Sequence, residues 1–406
     1  MKFTGKQLKH RILKDRYNSI IFEKGRAIGV YLVGGYIRDA LMGCRSSDRD
    51  YIVDGDMKTF VKEIRDIFGG TIIEFKREGF IRLGFREGLT FDFSEPQGSL
   101  TEDLSKRDFT INAIAWSPEK GIVDIYKGAA DITRKIIRCI SKDNLIADPL
   151  RILRAYRFAA QLNGSIDNLT RNYIKSLQNN IVTVSHERIT LEIFYLLNSD
   201  KASRYLKMAL YDGVLPLILP KQIKQLEDNI RGIFKLENRI LEVLPSNIKV
   251  LLNRVFSQNL TYKGLLSLEM LFNKKDNAHT EDNKIMMSSS IKKRISMSHD
   301  GSALLMKQKK LLRDSLFNIF VTSQESALDV LITKNRLDLI RDLKRFQVIW
   351  KSGILSSEEI IRVSGIEKGP ELGEIILETK KAQFEKRVRS KKQAIEFIKD
   401  RILQKP

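Results

Sequence analysis

The chain is poor in cysteine: it has two, Cys44 and Cys139, among its 406 residues. This number gives neither a disulfide framework nor a zinc-binding pattern, so we expect two reduced, partly buried thiols. Apolar runs of membrane-spanning length are lacking, and the first residues, Met1 to Lys6, contain no apolar core of a secretory signal. These absences lead us to expect a cytoplasmic protein with no membrane partner.

Two common nucleotide-binding signatures are also missing. The segment that begins at Gly34-Gly35 lacks the third glycine of the dinucleotide fingerprint, and no acidic residue follows a second strand at the expected distance. A P-loop is absent as well. The sequence therefore disfavours a dinucleotide-dependent enzyme or a P-loop nucleotidase.

Basic residues, in contrast, are abundant. The chain has 71 Lys and Arg against 50 Asp and Glu, a formal net charge of +21. This excess favours a polyanionic partner such as RNA, although such runs are more often solvated helix faces. The late basic runs are Lys292-Lys293-Arg294, Lys307 with Lys309-Lys310, and Lys386-Arg387 with Arg389, Lys391 and Lys392.

The stretch Val30 to Tyr51 is the most informative one. Its apolar residues 30–33 predict a buried strand, Gly34 and Gly35 permit a tight turn, and Tyr36 to Met42 predicts a helix whose first N–H groups can bind an anion. Asp48 and Asp50 are two residues apart, so on a strand both carboxylates project from one face and can hold Mg²⁺. Either feature alone is more often a simple turn or a solvated loop. Together they favour a nucleotidyltransferase.

A second set of motifs resembles a known family. Glu102 to Ala113 (EDLSKRDFTINA) and Asp148 to Ala160 (DPLRILRAYRFAA) follow LVGGYIRDALMG and DRD in the order found in tRNA nucleotidyltransferases and bacterial poly(A) polymerases. The resemblance is specific from about residue 25 to residue 200. It implies an α+β fold: a polymerase-β-like, mixed-sheet nucleotidyltransferase head (1–138) followed by an all-helical neck (139–215) and an all-helical body and tail (216–406).

The resemblance also implies roles for residues of the head. Asp48 and Asp50 would hold Mg²⁺, Gly34, Gly35 and Arg38 would hold the nucleotide, and Asp92 is a candidate third carboxylate. Arg107 and Asp108 would contact ribose and phosphate, with Asn112 beside them. The alternatives are a surface Arg38 paired with Asp39, a strand Asp92 that faces water, a helix-capping Asp108 and a structural Asn112.

Base selection is assigned to Asp148 and Arg151. Cytosine and adenine present an amino donor beside a ring-nitrogen acceptor, which matches an Asp acceptor and an Arg donor on one helix face. In the family this pair acts as a protein template. Asp148 also suits an N-cap with Pro149 as the first helical residue, and Arg154 and Arg157 would face the triphosphate or pack against Arg151. The family usually has Glu where this chain has Ala147.

Other patterns describe the organisation of the chain. Strands are predicted at Phe80 to Phe85, Leu89 to Phe93 and Gly121 to Ile125, and a buried helix at Leu191 to Leu197. Val214 to Pro220 suits a boundary between neck and body, Asn273 to Ser290 a loop, and Gly365 to Gly373 a turn between helices. The family's hinge motif is matched by Asp124, Gly128 and Asp131, and one of its neck elements by Ser185 to Glu192.

Three functions stay open. The first is addition of C, A or both to the 3′ end of tRNA from CTP and ATP. The segment between Asp92 and Asp103 is shorter than the flexible loop of complete CCA-adding members and resembles that of the enzymes that add only CC, which implies a second tRNA nucleotidyltransferase that completes the end. The second is a poly(A) polymerase or an A-adding enzyme. The third, an RNA-binding protein without catalysis, is disfavoured by the intact motifs.

Overall fold

The computed structural model describes residues 5–44, 46, 48–76, 79–86, 88–272, 283–308 and 310–403. Contacts within the chain divide it into two compact units, Met1–Ile223 and Lys224–Pro406. The division falls just after the proline-containing segment 214–220. The finer limits at residues 138 and 215 stay predictions.

A mixed sheet forms the centre of the first unit. Its strands, among the described residues, are β1 (Gly29–Val33), β2 (Asp48–Asp54), β3 (Thr71–Phe75), β4 (Phe80–Gly84), β5 (Thr90–Ser94), β6 (Ala115–Ser117) and β7 (Gly121–Val123). They lie in the order β3-β4-β5-β2-β1-β6-β7. The pair β2 and β5 is parallel, and the other neighbours are antiparallel. The predicted strands are thus confirmed, with small shifts at their ends.

Helices of the same unit flank this sheet. They are α1 (Gly5–Lys14), α2 (Arg16–Lys24), α3 (Gly35–Met42), α4 (Met57–Phe68), α5 (Leu100–Ser105) and α6 (Gly128–Arg134). Strand β2 lies in the middle of the sheet, so its residues Tyr51, Ile52 and Val53 are buried. At its first residues the strand is less covered, and Asp48 and Asp50 project from one face while Arg49 projects from the other.

The first unit continues with helices. They are α7 (Lys142–Ala147), α8 (Arg151–Leu162), α9 (Asn168–Leu177), α10 (His186–Leu197), α11 (Ala202–Tyr211) and α12 (Leu215–Ile218), with a parallel strand pair β8 (Ile136–Ile137) and β9 (Ser165–Ile166). The predicted cap at Asp148 is wrong: Asp148 ends α7, and Leu150 is the N-cap of α8. Tertiary contacts of Asp148 override the local Asp-Pro preference. Helix α10 confirms the predicted helix, although its Leu191 is exposed.

The second unit is mostly helical. Its helices are α13 (Ile223–Lys235), α14 (Leu241–Val243), α15 (Ser246–Leu252), α16 (Tyr262–Leu271), α17 (Ser289–Lys307), α18 (Arg313–Ser323), α19 (Ala327–Thr333), α20 (Ile340–Lys351), α21 (Ser357–Ser364), α22 (Pro370–Phe384) and α23 (Lys391–Leu403). A short pair, β10 (Val255–Ser257) and β11 (Leu260–Thr261), interrupts them. The all-helical prediction is therefore corrected to mostly helical in both parts.

Several smaller predictions can be compared directly. The predicted turn at Gly365 to Gly373 is confirmed for residues 365–369, because α21 ends before Gly365, but residues 370–373 already belong to α22, which begins at Pro370. Of the predicted loop, residues 273–282 lie outside the described ranges, 283–288 have no helix or strand, and Ser289 begins α17. Both cysteines are free, but Cys44 is exposed rather than partly buried and Cys139 is buried. In the described part of the chain, no helix combines the length and apolarity that a membrane crossing requires.

Candidate active site

Three carboxylates lie at the start of two neighbouring strands. Asp48 and Asp50 are on β2, and Asp92 is opposite Asp50 on β5. Arg82 donates to both oxygens of Asp92, at 2.7 and 2.6 Å. Burial raises the pKa of Asp50 to about 6; the charges of Asp92 and Asp48 contribute to the rise, and Arg107 opposes it. The site thus concentrates negative charge that a bound cation would relieve.

Asp48 and Asp50 suit a magnesium ion. They are hard oxygen donors on one face of a strand, and Mg²⁺ commonly takes one or two carboxylates and completes its shell with water and substrate phosphates. Across the residues that the structure describes, no three His, Cys, Asp or Glu side chains form a group that would hold a metal by themselves. The donor set therefore fits an ion shared with a substrate, and the ion itself stays a prediction.

The turn between β1 and α3 lies against these carboxylates. Gly34 has a φ of +71°, and a Cβ at this position would lie 3.0 Å from Nη1 of Arg107 and 3.2 Å from Oδ2 of Asp50. A side chain would therefore be both strained and crowded here. A cavity of about 500 Å³ opens at this point and is lined by Asp50, Asp92, Arg107 and the loop at 94–97. The glycine turn therefore lies next to a carboxylate and a guanidinium group.

A hydrogen-bonded chain continues from helix α3. Nη1 of Arg38 donates to Oδ1 of Asn112 at 2.8 Å, and Nδ2 of Asn112 donates to Oδ1 of Asp108 at 2.9 Å. Arg38 also pairs with Asp39 at 2.8 Å, as the alternative predicted, but its side chain is 14% exposed and is not on the surface. Asp108 is not a helix cap, because Phe109 occupies the N-cap position of the next 3₁₀ turn. Its carboxylate accepts from the Phe109 N–H instead.

Carboxylates also hold the arginines of helix α8. Nη2 of Arg154 lies 2.7 Å from Oδ2 of Asp108, and Nε of Arg157 lies 2.8 Å from Oε2 of Glu192. Burial opposes ionisation of Asp108, but Arg154 and the hydrogen bonds to the carboxylate bring its pKa below the ordinary value. Burial lowers the pKa of Arg157 to about 10. The ring of Phe158 lies under both guanidinium groups, at 5.2 and 4.1 Å.

The two base-reading candidates lie at the start of α8. Oδ2 of Asp148 is 2.9 Å from Nη2 of Arg188, and Oδ1 accepts from the Leu150 N–H at 3.3 Å. Nη1 of Arg151 donates to the carbonyl of Asn144 at 3.1 Å. The assumption that both lie on one helix face is wrong, since Asp148 precedes the helix. A turn joins them, in which the Arg151 N–H donates to the Asp148 carbonyl at 3.0 Å.

Sequence reasoning missed several contacts of the site. Asp103 pairs with Arg107 at 3.2 Å, Arg188 pairs with Asp148, and Glu192 is buried between arginines. Glu192 carries a signal that would have found it, because it is one acidic residue within the apolar run Leu191 to Leu197. Asn144, whose side chain donates to the carbonyls of Ser105 and Arg107, carries no such signal, because only the fold brings these carbonyls near it.

Comparisons with known proteins agree with this geometry. The family described as Poly A polymerase head domain matches residues 30–95 and 86–138, and the probable RNA and SrmB-binding site of polymerase A matches residues 165–226. A CC-adding tRNA nucleotidyltransferase of Synechocystis sp. is 40% identical over 189 residues, 45% of this chain and 45% of that protein. In these regions the chain is similar to the polymerase A family and to tRNA nucleotidyltransferases. An A-adding tRNA nucleotidyltransferase of Deinococcus radiodurans is 34% identical over 199 residues, 48% of this chain and 45% of that protein.

The family match by sequence is limited to part of the chain. The matched part of the chain spans less than half the length of these curated relatives, 45% in both cases. Similarity of fold extends further: the Thermotoga maritima CCA-adding enzyme, solved in complex with tRNA, has a TM-score of 0.75 at 18% identity and covers 98% of this chain and 99% of its own. The predicted fold class, a mixed-sheet head followed by helices, is confirmed.

Proposed function

We propose that the protein is an RNA nucleotidyltransferase that adds C, A or both to the 3′ end of tRNA, with CTP and ATP as substrates. The observation that carries this proposal is the combination at Gly34. Its turn lies within a Cβ contact of both Asp50 and Arg107, so a triphosphate bound at the turn would meet the carboxylates that suit Mg²⁺. Relatives named as CC-adding and A-adding enzymes support it.

The reaction follows from these groups. The RNA 3′-hydroxyl attacks the α-phosphorus, a new P–O bond forms, the bond to the bridging oxygen of the β-phosphate breaks, and pyrophosphate leaves as the hydroxyl proton is lost. Mg²⁺ held by Asp48 and Asp50 would lower the pKa of the hydroxyl and neutralise triphosphate charge. Gly35, at the first turn of α3, offers its backbone N–H group to phosphate, and Arg38 and Arg107 offer guanidinium donors.

Base selection falls to Asp148 and Arg151. Asp148 would accept from the amino group of cytosine or adenine, and Arg151 would donate to the adjacent ring nitrogen. Both are partly exposed at the start of α8, and Arg151 uses one donor on Asn144 and keeps others for a base. Uracil would leave both protein groups unpaired, which costs enough free energy to reject it.

The segment after β5 favours addition of CC without the final A. In complete CCA-adding members a flexible loop here is expected to help the change from C to A. In this chain Ser99 and Glu102 form a capping box, and Nζ of Lys106 donates to the Gln97 carbonyl at 3.3 Å. Gly98 has a φ of +90°. These contacts stabilise a short, folded turn, so a second tRNA nucleotidyltransferase would complete the end.

The test uses purified protein and tRNAs that end before the CCA terminus, after one C and after CC. Each tRNA is incubated with CTP or ATP alone, and extension is read on a sequencing gel. We expect efficient addition of C to the two shorter tRNAs and poor adenylation of the third. Rapid extension of the CC-ending tRNA by ATP would exclude the CC-only assignment, long adenylate tails on any RNA would favour a poly(A) polymerase, and no extension at all would contradict the proposal.

A further inference from the structure

One residue of helix α7, Asn144, contacts both halves of the proposed site. It follows the N-cap Ser141, whose Oγ accepts from the Asn144 N–H at 3.1 Å. Its backbone N–H, its carbonyl and its side-chain NH2 group are all engaged, with different partners. No motif of the sequence marks this residue.

The side chain of Asn144 binds the end of helix α5. Nδ2 donates to the carbonyl oxygens of Ser105 and Arg107, each at 2.7 Å. The Ser105 carbonyl, at the end of α5, has no partner within its own helix, and the Arg107 carbonyl lies just beyond that end; one amide group with two hydrogens can satisfy both. Asn144 thereby fixes the backbone that carries Arg107 and leads directly into Asp108.

The carbonyl of Asn144 binds both base-reading candidates. It accepts from Nη1 of Arg151 at 3.1 Å and from the backbone N–H of Asp148 at 3.4 Å. The guanidinium of Arg151 is therefore oriented by a group whose own position depends on the Asn144 side chain. The neighbouring Ala147 is exposed and offers no polar group for this purpose.

We propose that Asn144 is a positioning residue for base selection: it sets Asp148 and Arg151 in register with the phosphate-contacting segment at Arg107. This inference rests on the proposed function and refines it. A base is read correctly only if its edge meets the acceptor and the donor while its triphosphate is held at the turn. Displacements well below the length of a hydrogen bond reduce such discrimination.

The test compares variants in single-nucleotide incorporation. Asn144→Ala removes the two side-chain donors, and we expect the ratio of kcat/KM for CTP to that for UTP to fall about tenfold, the scale of one hydrogen bond. Asn229→Ala is the control, because the side chain of Asn229, which is more buried than that of Asn144, likewise donates to a carbonyl, that of Leu271, in the second unit. Circular dichroism confirms that each variant is folded. Asn144→Ser, which is too short to reach both carbonyls, replaces the alanine variant if that variant unfolds.

A double-mutant comparison separates positioning from a general loss of structure. If Asn144 acts through Arg151, Asn144→Ala should leave the CTP-to-UTP ratio unchanged in an Arg151→Ala background. An unchanged ratio in the single variant, or an equal fall in both backgrounds, would overturn the inference. Wild-type protein that extends tRNA with discrimination confirms the proposed function independently of either result; wild-type protein that extends no RNA refutes the function itself.

Discussion

Two arginine–carboxylate clusters, one in each unit, resemble each other in composition and differ in surroundings. In the first unit, Arg154 and Arg157 pair with Asp108 and Glu192, and the Arg154 side chain keeps 32% of its surface exposed. In the second unit, Arg294 pairs with Asp329, and their side chains are 11% and 3% exposed. A partly open cluster can exchange protein contacts for a ligand, whereas an enclosed cluster serves the fold.

Most polar groups of the enclosed cluster pair with each other, although Oε1 of Glu269 is buried without a hydrogen-bond partner among the described residues. Nε and Nη2 of Arg294 donate to the two oxygens of Asp329 at 2.7 and 3.2 Å, and Ser298 donates to Glu269 at 2.9 Å. Burial raises the pKa of Glu269 well above its ordinary value, and the nearby charge of Asp329 adds to the rise. The expectation that Arg294, in the run Lys292-Lys293-Arg294, is a solvated residue or an RNA contact is therefore wrong.

The largest expected effect is on the carboxylates of β2. Asp48→Ala or Asp50→Ala should reduce nucleotide addition by more than about 100-fold. Mutation of a residue that only hydrogen-bonds a metal ligand already lowers activity by up to about 100-fold, and loss of a ligand itself should cost more. Fold and tRNA binding should change little, because these carboxylates serve the ion rather than the core. Asp54→Ala, at the far end of the same strand and also exposed, is the control. Near-normal turnover of either variant in Mg²⁺ would show that the metal assignment is wrong.

The second prediction concerns the enclosed cluster. Asp329→Ala leaves Arg294 buried without its partner, and we expect the free energy of unfolding to fall by about 3–5 kcal/mol. Urea-induced unfolding measures it. The double variant Asp329→Leu with Arg294→Met should regain most of this stability, because the buried charges are then both removed. If Asp329→Ala is no less stable than the wild type, the cluster is not structural.

A smaller effect is expected from the exposed end of the second unit. Basic residues there should contact RNA phosphates, so their joint removal should flatten the dependence of log affinity on log salt. The residues to replace are Lys386, Arg387, Arg389, Lys391 and Lys392. The slope should change by less than the loss of five free charges would cause, because Arg387 and Lys391 already pair with Glu385 and Glu359. Replacement of Lys58 and Lys62 of α4 is the control; an unchanged slope in the tail variant would place the RNA elsewhere.

The smallest effect is a pH dependence of stability. Glu269 has a raised pKa in the folded state, so the folded protein binds a proton that the unfolded chain releases. Its contribution is therefore fully present below the ordinary pKa of a glutamate and is lost as the pH rises towards the folded-state pKa. Glu269→Gln should remove this loss, so that the free energy of unfolding depends less on pH between pH 5 and 8. This range lies above the ordinary pKa of a glutamate. A variant whose stability declines with pH as steeply as the wild type would contradict the assignment.

How far the sequence predicts each part depends on how local the cause is. The strand at Val30, the glycine turn and the same-face placement of Asp48 and Asp50 follow from periodicity and local sterics, and all are confirmed. The cap at Asp148 was not predictable, because its carboxylate binds Arg188, which is 40 residues away. The burial of Arg294 has the same cause, since its partner Asp329 is 35 residues away. Long-range ion pairs decide these positions, and no local pattern encodes them.

The central claim is that Asp148 and Arg151, at the start of the helix that carries the open cluster, read the incoming base, and Arg151→Ala tests it most directly. The measurement is the relative incorporation of CTP, ATP, UTP and GTP into tRNA by the wild type and the variant, with Arg134→Ala, an exposed arginine of α6, as the control. We predict that the wild type rejects UTP and that the ratio of CTP to UTP incorporation falls by about 100-fold or more in the variant. A binding site discriminates at least this strongly when a wrong substrate leaves its polar groups unpaired. Lower activity with unchanged relative preference would contradict the account and would make Arg151 a structural or phosphate-binding residue.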